Sequence, residues 1–183
     1  MALTFPLRLA SSLLACVVLT IFMGPALGSR HQFLEQSAPL RKPNATDEFL
    51  VGHNQARSLV HVGPLNWSQK LAAEVSRLVR YQRDNKSCNF ADLSSSTFGA
   101  NQAIGGLDMT PRQAIDLWAS QKQFYNHANN TCAPGHDCNV YTQVVWKKTL
   151  EVGCAQARCV KKGATLTICF YFPPGNVIGE KPY

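Results

Sequence analysis

Charge is scarce in this sequence: only 16% of its 183 residues are Asp, Glu, Lys or Arg, against 45% hydrophobic residues. A chain that apolar is excluded from the disordered class. It carries no internal repeat and no break in composition that would mark a second folded domain. Past residue 28 it has no apolar run approaching the roughly 20 residues a membrane-spanning helix needs. It has no Cys-x-x-Cys pair, which argues against a thiolate zinc site, and no Ser-x-Gly elbow to present a nucleophile. Acidic residues are short as well, 11 against 18 basic, for a net charge of +7. Because the basic residues are scattered from Arg57 to Lys181, the surplus does not describe a nucleic-acid-binding stripe.

What is present begins with cysteine, and its count of seven is odd. The first 28 residues resolve the oddity. One positive charge at Arg8 precedes an apolar run from Leu9 to Met23, Gly24-Pro25 breaks it, and Ala26-Leu27-Gly28 supplies small residues for a signal peptidase. The expectation is a secretory signal peptide over residues 1–28, cleaved near Gly28-Ser29. Cys16 leaves with it, and six cysteines remain: Cys88, Cys132, Cys138, Cys154, Cys159 and Cys169. Six thiols in an exported chain imply three disulfides, in any of 15 pairings. Four acceptor sequons, at Asn44, Asn66, Asn85 and Asn129, agree with export and a glycoprotein. Asn66 stands beside the apolar Trp67, so incomplete occupancy is expected.

Residues 29–45, with Pro39 and Pro43, read as an N-terminal arm, and residues 46–183 as one domain. A helix is expected from Thr46 or Asp47 to about Val60, with Thr46 as its cap. A second starts near Asn66, its apolar face Trp67, Leu71, Val75 and Leu78. Residues 85–108, rich in Ser, Asn and Gly, read as irregular loop. Thr110-Pro111 restarts helix through Ala114, Ile115 and Trp118. Tyr141 to Trp146 reads as strand, and Thr165 to Tyr171 alternates, with Leu166, Ile168 and Phe170 on one side. Helices first and antiparallel strands later predict an α+β domain.

Four ordered segments carry a resemblance. They are His53-Asn54-Gln55-Ala56-Arg57, Tyr141-Thr142-Gln143-Val144-Val145-Trp146, Val152-Gly153-Cys154-Ala155-Gln156-Ala157-Arg158-Cys159, and the ending from Pro173-Pro174-Gly175-Asn176 to Lys181-Pro182-Tyr183. Over residues 47–183 the chain resembles the plant pathogenesis-related class 1 branch of the CAP superfamily, and is similar to its pistil-type members. The resemblance implies an α-β-α sandwich with a central antiparallel sheet. It also implies the pairing Cys88–Cys154, Cys132–Cys138 and Cys159–Cys169.

The family's polar cleft of two His and two Glu, which can hold a divalent metal such as zinc, is altered here. Asp92 or Leu93 stands at the first His position, Ala100 and Gln121 at the two Glu positions, and Val140 at the second His. Zinc needs three or four N, S or O ligands. The expectation is therefore no metal, no cofactor and no catalytic residue in that cleft. His31, His53, His61, His127 and His136 remain, and His53 reads as hydrogen-bonded structure. A divergent hydrolase using His53, Asp92 or the loop of His136 and Asp137 is the enzymatic alternative.

Binding is the preferred reading: a secreted, monomeric, non-enzymatic protein of plant defence or tissue protection in the apoplast. The resemblance implies sequestration of sterols through an aromatic loop, here Trp118, Phe124 and Tyr125, with Trp118 expected in the core. It also implies a C-terminal peptide, residues 173–183, released by cleavage between Phe172 and Pro173. Phe170 stands where the processing motif has Asn. A wall-associated module held by acidic cell-wall polysaccharide is a further alternative, drawn from the net charge.

Overall fold

The computed structural model describes residues 44–183. The signal segment 1–28, the arm to residue 43, Cys16 and His31 lie outside the described residues.

Helix α1 (Ala45–Ser58) is capped two residues earlier than predicted. Asn44, not Thr46, accepts the Asp47 amide on Oδ1 at 2.8 Å, and Asp47 and Glu48 sit in the positive first turn. Strand β1 (Asn66–Trp67) takes the two residues assigned to the start of the second helix, so α2 runs Gln69–Asn85. Its buried face is Leu71, Ala72, Val75 and Val79, with Leu78 only partly covered. Helix α3 (Pro111–Ser120) has the full capping box, Thr110 and Gln113 bonded reciprocally, with Pro111 in the first turn.

Two elements differ in type from expectation. Strand β2 (Gly99–Gly106) lies inside the expected loop. Its run Gly-Ala-Asn-Gln-Ala-Ile-Gly-Gly has little strand propensity, and pairing along its whole length with a buried neighbour makes it a strand. Residues 141–146 are not a strand. Helix α4 (Asn139–Val144) covers most of them, and they are buried on all sides, so no polar alternation distinguishes the two forms. The Thr142 hydroxyl bonds back to the carbonyls of Cys138 and Asn139, a local bond a helical turn permits. Two short strands, β3 (Tyr125–Asn126) and β4 (Thr131–Cys132), form a separate hairpin.

Strands β5 (Glu151–Cys159) and β6 (Ala164–Phe172) complete a sheet of order β1-β5-β6-β2. β6 pairs antiparallel with β5 on one edge and β2 on the other; β1 adds a two-residue parallel bridge to β5. The alternation read from sequence is correct in phase, but neither face is wet. Leu166, Ile168 and Phe170 pack with Leu71, Val75 and Val79 of α2. Cys169 and Tyr171 face Phe49, Ile115, Trp118 and Val144, from α1, α3 and α4. The sheet is therefore sandwiched between helical layers, as the resemblance implied. Full burial of one such aliphatic side chain contributes ~2 kcal/mol. At Gly153 a Cβ would lie 2.6 Å from the Leu71 carbonyl carbon, so α2 rests its first turn directly on β5.

The disulfides are Cys88–Cys159, Cys132–Cys138 and Cys154–Cys169. The expected small loop is present, but the other two pairings are corrected. Cys154 and Cys159 are five residues apart on one strand, which separates them by roughly 17 Å and points them to opposite faces. Cys154 faces the three-helix layer, where Cys169 is its direct cross-strand partner. Cys159 faces α2, and Cys88 follows the end of that helix.

Candidate functional site

The altered cleft positions do not assemble into one site. Asp92 and Leu93 line a hollow of about 310 Å³ with Phe98 and Phe170, to which Ala100, Gln121 and Val140 do not belong. Asp92 is exposed, and the Ser94 amide bonded to its carboxylate holds it below the usual carboxylate range. Ala100 packs toward the α2 side, while Val140 packs on the three-helix side and its carbonyl accepts Asn101 Nδ2 at 2.8 Å. Gln121 buries its Oε1 without a partner among the described residues. One exposed carboxylate and one amide are no zinc ligand set.

Another group has metal-ligand chemistry by type: His53, Cys154 and Cys169 lie within 4.8 Å of one another. Both sulfurs are in a disulfide and both His53 nitrogens are engaged, so no donor is free. His53 Nδ1 bonds the Phe49 carbonyl and Nε2 the Tyr171 hydroxyl, each at 2.8 Å. Asn101 Nδ2 donates to that hydroxyl at 3.2 Å, which leaves the Tyr171 proton for Nε2. Burial pushes the His53 imidazole down to about 4, so it is neutral in this chain of bonds. The expected structural role of His53 follows from this geometry.

Arg57, one turn on, is also buried and has no carboxylate partner among the described residues. It donates to the carbonyls of Gly63, Val144, Trp146 and Thr149, at 2.7, 3.1, 2.9 and 3.1 Å. Burial lowers its guanidinium to about 10, which still leaves it charged at neutral pH. Four carbonyl dipoles replace its hydration, and three of them tie α1 to the last residue of α4 and the turn after it.

The aromatic candidates separate as expected for Trp118 and less simply for the others. Trp118 is core, 1% exposed, with Nε1 donating to Gln102 at 3.1 Å. Phe124 lies stacked on His136, ring centres 3.6 Å apart. Tyr125 is half-buried against Tyr141 and Tyr183, and its hydroxyl bonds Asn130 at 2.7 Å. His127 stacks on the Tyr183 ring at 4.3 Å and bonds its main-chain oxygen. His136 and His127 are thus occupied by different aromatic partners, and Asp137 accepts the Asn139 amide at 2.9 Å. His61 is exposed in the turn after α1.

Past Phe172, the tail lies along the domain. Gly175 sits where a Cβ would meet the Gln143 amide and the Trp146 ring, and its amide bonds Gln143 Oε1 at 3.0 Å. Asn176 bonds Thr142 at 2.6 Å and Asn139 at 2.9 Å, Lys148 pairs with Glu180 at 2.7 Å, and the Lys147 amide bonds Pro182 at 2.6 Å. These anchors come from α4 and the turn after it, a role the sequence reading did not assign to them. A groove of about 370 Å³ remains between the tail and the Cys132–Cys138 loop. A second groove, also missed, runs between α1 and α3. It holds about 380 Å³, with Gly52, Ala56, Ala119 and Tyr141 along it, together with Lys122 and the Arg112–Asp116 ion pair at 2.7 Å. Small residues on two different helices leave no periodic signal that a groove will form.

All four sequon asparagines are exposed: Asn44 caps α1, Asn66 is in β1, Asn85 ends α2 and Asn129 is in the β3–β4 turn. No helix among the described residues is long and apolar enough to cross a membrane.

Residues 50–172 match the family model CAP, cysteine-rich secretory protein family. STS14 protein of Solanum tuberosum is 59% identical over 140 residues, 76% of this chain and 65% of that protein. The match thus spans under two thirds of that relative's length. Pathogenesis-related protein 1B of Nicotiana tabacum is 41% identical over 152 residues, 82% of this chain and 88% of that one. Among solved structures, Schistosoma mansoni venom allergen-like protein 4 superposes with a TM-score of 0.62 at 23% identity, over 78% of this chain and 95% of that one, a likeness of fold. Its sandwich, its three disulfides and these relatives together make the chain a member of the CAP family, with plant pathogenesis-related proteins of the class 1 type as its homologues.

Proposed function

We propose that this protein acts outside the cell in plant defence or tissue protection by binding an apolar ligand, and not by turnover. The observation that carries the reading is the groove between α1 and α3, lined by the small Gly52, Ala56 and Ala119, whose polar groups include Lys122 and the Arg112–Asp116 ion pair. That arrangement suits an extended or flat hydrocarbon body with a polar end. Tyr141 joins this groove to the loop aromatics, because Tyr125 packs on it with ring centres 5.8 Å apart. A sterol-like ligand lying along the groove would rest one end on Tyr141, against whose ring Tyr125 packs. Catalysis lacks comparable support: His53 has both nitrogens bonded, Asp92 stands alone, and His136 is stacked.

The test is saturable binding of a fluorescent sterol to the secreted protein. Ala56→Trp, which fills the groove, should abolish it, while Phe124→Ala and Tyr125→Ala should weaken it, each with an unchanged melting temperature. Absence of binding at micromolar protein ends the proposal.

A second reading, release of residues 173–183 as a signalling peptide, is supported by Phe172, which is 48% exposed at the junction. Against it stand the tail's bonds to α4 and the turn after it. Mass spectrometry of the secreted protein decides it, since material that always retains Tyr183 removes the reading. The same spectra report the signal cleavage near Gly28 and which of the four exposed sequons carry glycans.

A further inference from the structure

Four of the basic residues meet in space at the end of α2. Arg83, from the last turn of that helix, meets Arg158, Lys161 and Lys162, from the end of β5 and the turn beyond it, around a cleft of about 410 Å³. Among the described residues, Asp84 is the only acid in its lining. The Cys88–Cys159 bridge forms part of the wall and fastens the two segments to each other. The cleft is therefore preformed, with little ordering cost when a ligand enters.

The cations are available. Lys161 and Lys162 have no carboxylate partner among the described residues, and Lys162 donates only to the Asn89 side chain at 2.8 Å. Arg83 is held by Asp84 at 2.7 Å and Arg158 by Asp108 at 2.9 Å, all four side chains at least 40% exposed. Pairs so exposed are weak and exchange readily for a ligand's carboxylate. Two forked guanidinium groups and two point-like ammonium groups match a ligand that repeats its negative charge. Among the described residues the lining has no aromatic ring on which a base would stack, which disfavours single-stranded nucleic acid. Val160, 73% exposed, is the one apolar side chain there besides the bridge, too little for insertion into a membrane and enough to face a sugar ring.

We infer that this cleft binds an anionic polysaccharide bearing uronate carboxylates. Lys161 and Lys162 take carboxylates directly, and Arg83 and Arg158 exchange their own acids for those of the polymer. The inference is independent of the apolar groove, which lies between α1 and α3.

The experiment uses the full chain expressed in plant cells, on an Asn85→Gln background so that no glycan stands beside the cleft, with de-esterified polygalacturonate as the probe. Lys161→Gln/Lys162→Gln should weaken binding about tenfold and flatten its dependence on salt. Lys70→Gln/Lys147→Gln, which removes the same charge elsewhere, should change it less than about twofold. Fully methyl-esterified polymer should not bind. Equal loss in the two double variants would reduce the effect to net charge and overturn the site. Undiminished binding by Lys161→Gln/Lys162→Gln, or retention by single-stranded DNA or anionic vesicles with none by polygalacturonate, would overturn it too. Both variants change exposed side chains, and unchanged melting temperatures certify that they fold.

Discussion

The two layers either side of β6 are filled with different chemistry. Toward α2 the interior is mainly aliphatic: Leu71, Val75 and Val79 against Leu166 and Ile168, with the Phe170 ring beside them. Toward α1, α3 and α4 it is threaded with polar groups, from Asn101 through Tyr171 to His53, with the Arg57 guanidinium one turn further on. An aliphatic layer asks mainly for volume and tolerates exchange of one hydrocarbon shape for another. A hydrogen-bonded layer asks for particular atoms at particular distances, because any partner removed leaves another buried and unpaired. The layer with the stricter demand is also the one against which the tail and the α1–α3 groove lie.

Removing the bridges tests the comparison most severely. Cys88–Cys159 closes 71 residues beside the α2 layer, and Cys154–Cys169 closes 15 on the other side. Replacing both cysteines of the long bridge by Ala should cost roughly 4 kcal/mol and of the short one roughly 3 kcal/mol in the chain-entropy account, read by urea denaturation. A larger loss from the short bridge would mean that the polar layer depends on local geometry more than on chain connectivity.

The pH dependence comes next. His53 is depressed to about 4 from 6.5, so between those values the unfolded chain holds more protons than the folded one. Stability should be complete above pH 6.5 and fall as pH drops toward 4, by up to about 3 kcal/mol from this residue. In His53→Gln the loss should be constant and that slope absent. Parallel wild-type and variant curves would show that the polar layer does not resist protonation.

The smallest effects compare the layers atom for atom. Tyr171→Phe removes one oxygen and leaves His53 Nε2 unpaired, an expected cost of about 1–3 kcal/mol. Leu166→Met, on the opposite face of the same strand, should cost under about 1.5 kcal/mol. Equal thermal shifts would erase the distinction between the layers.

The aliphatic layer is the more legible in sequence. The spacing of Leu71 and Val75 and the alternation of Leu166, Ile168 and Phe170 are burial patterns, visible one residue at a time. Thr110-Pro111 is equally local, since a cap and a helical first turn need no distant partner. What escaped depends on partners. β2 is a strand because β6 lies beside it, and α4 is a helix although its residues favour strands. The bridges follow from which face of β5 each cysteine occupies, which only the register reveals. For the candidate sites, sequence shows that Ala100 and Val140, which the resemblance sets at cleft positions, carry no metal-ligating atom in their side chains. The two grooves and the basic cleft could not, because each is made by elements that meet only in the folded chain.

β6 has one more consequence. All but its last residue are paired on both edges and its side chains are covered on both faces, so its amides have no local route to solvent. They should exchange for deuterium only when the whole molecule opens, whereas β1, with two residues on one neighbour, should exchange through fraying. The slowest amides of this strand therefore serve as a clock for global unfolding, against which the opening of the tail or of either helical layer can be timed.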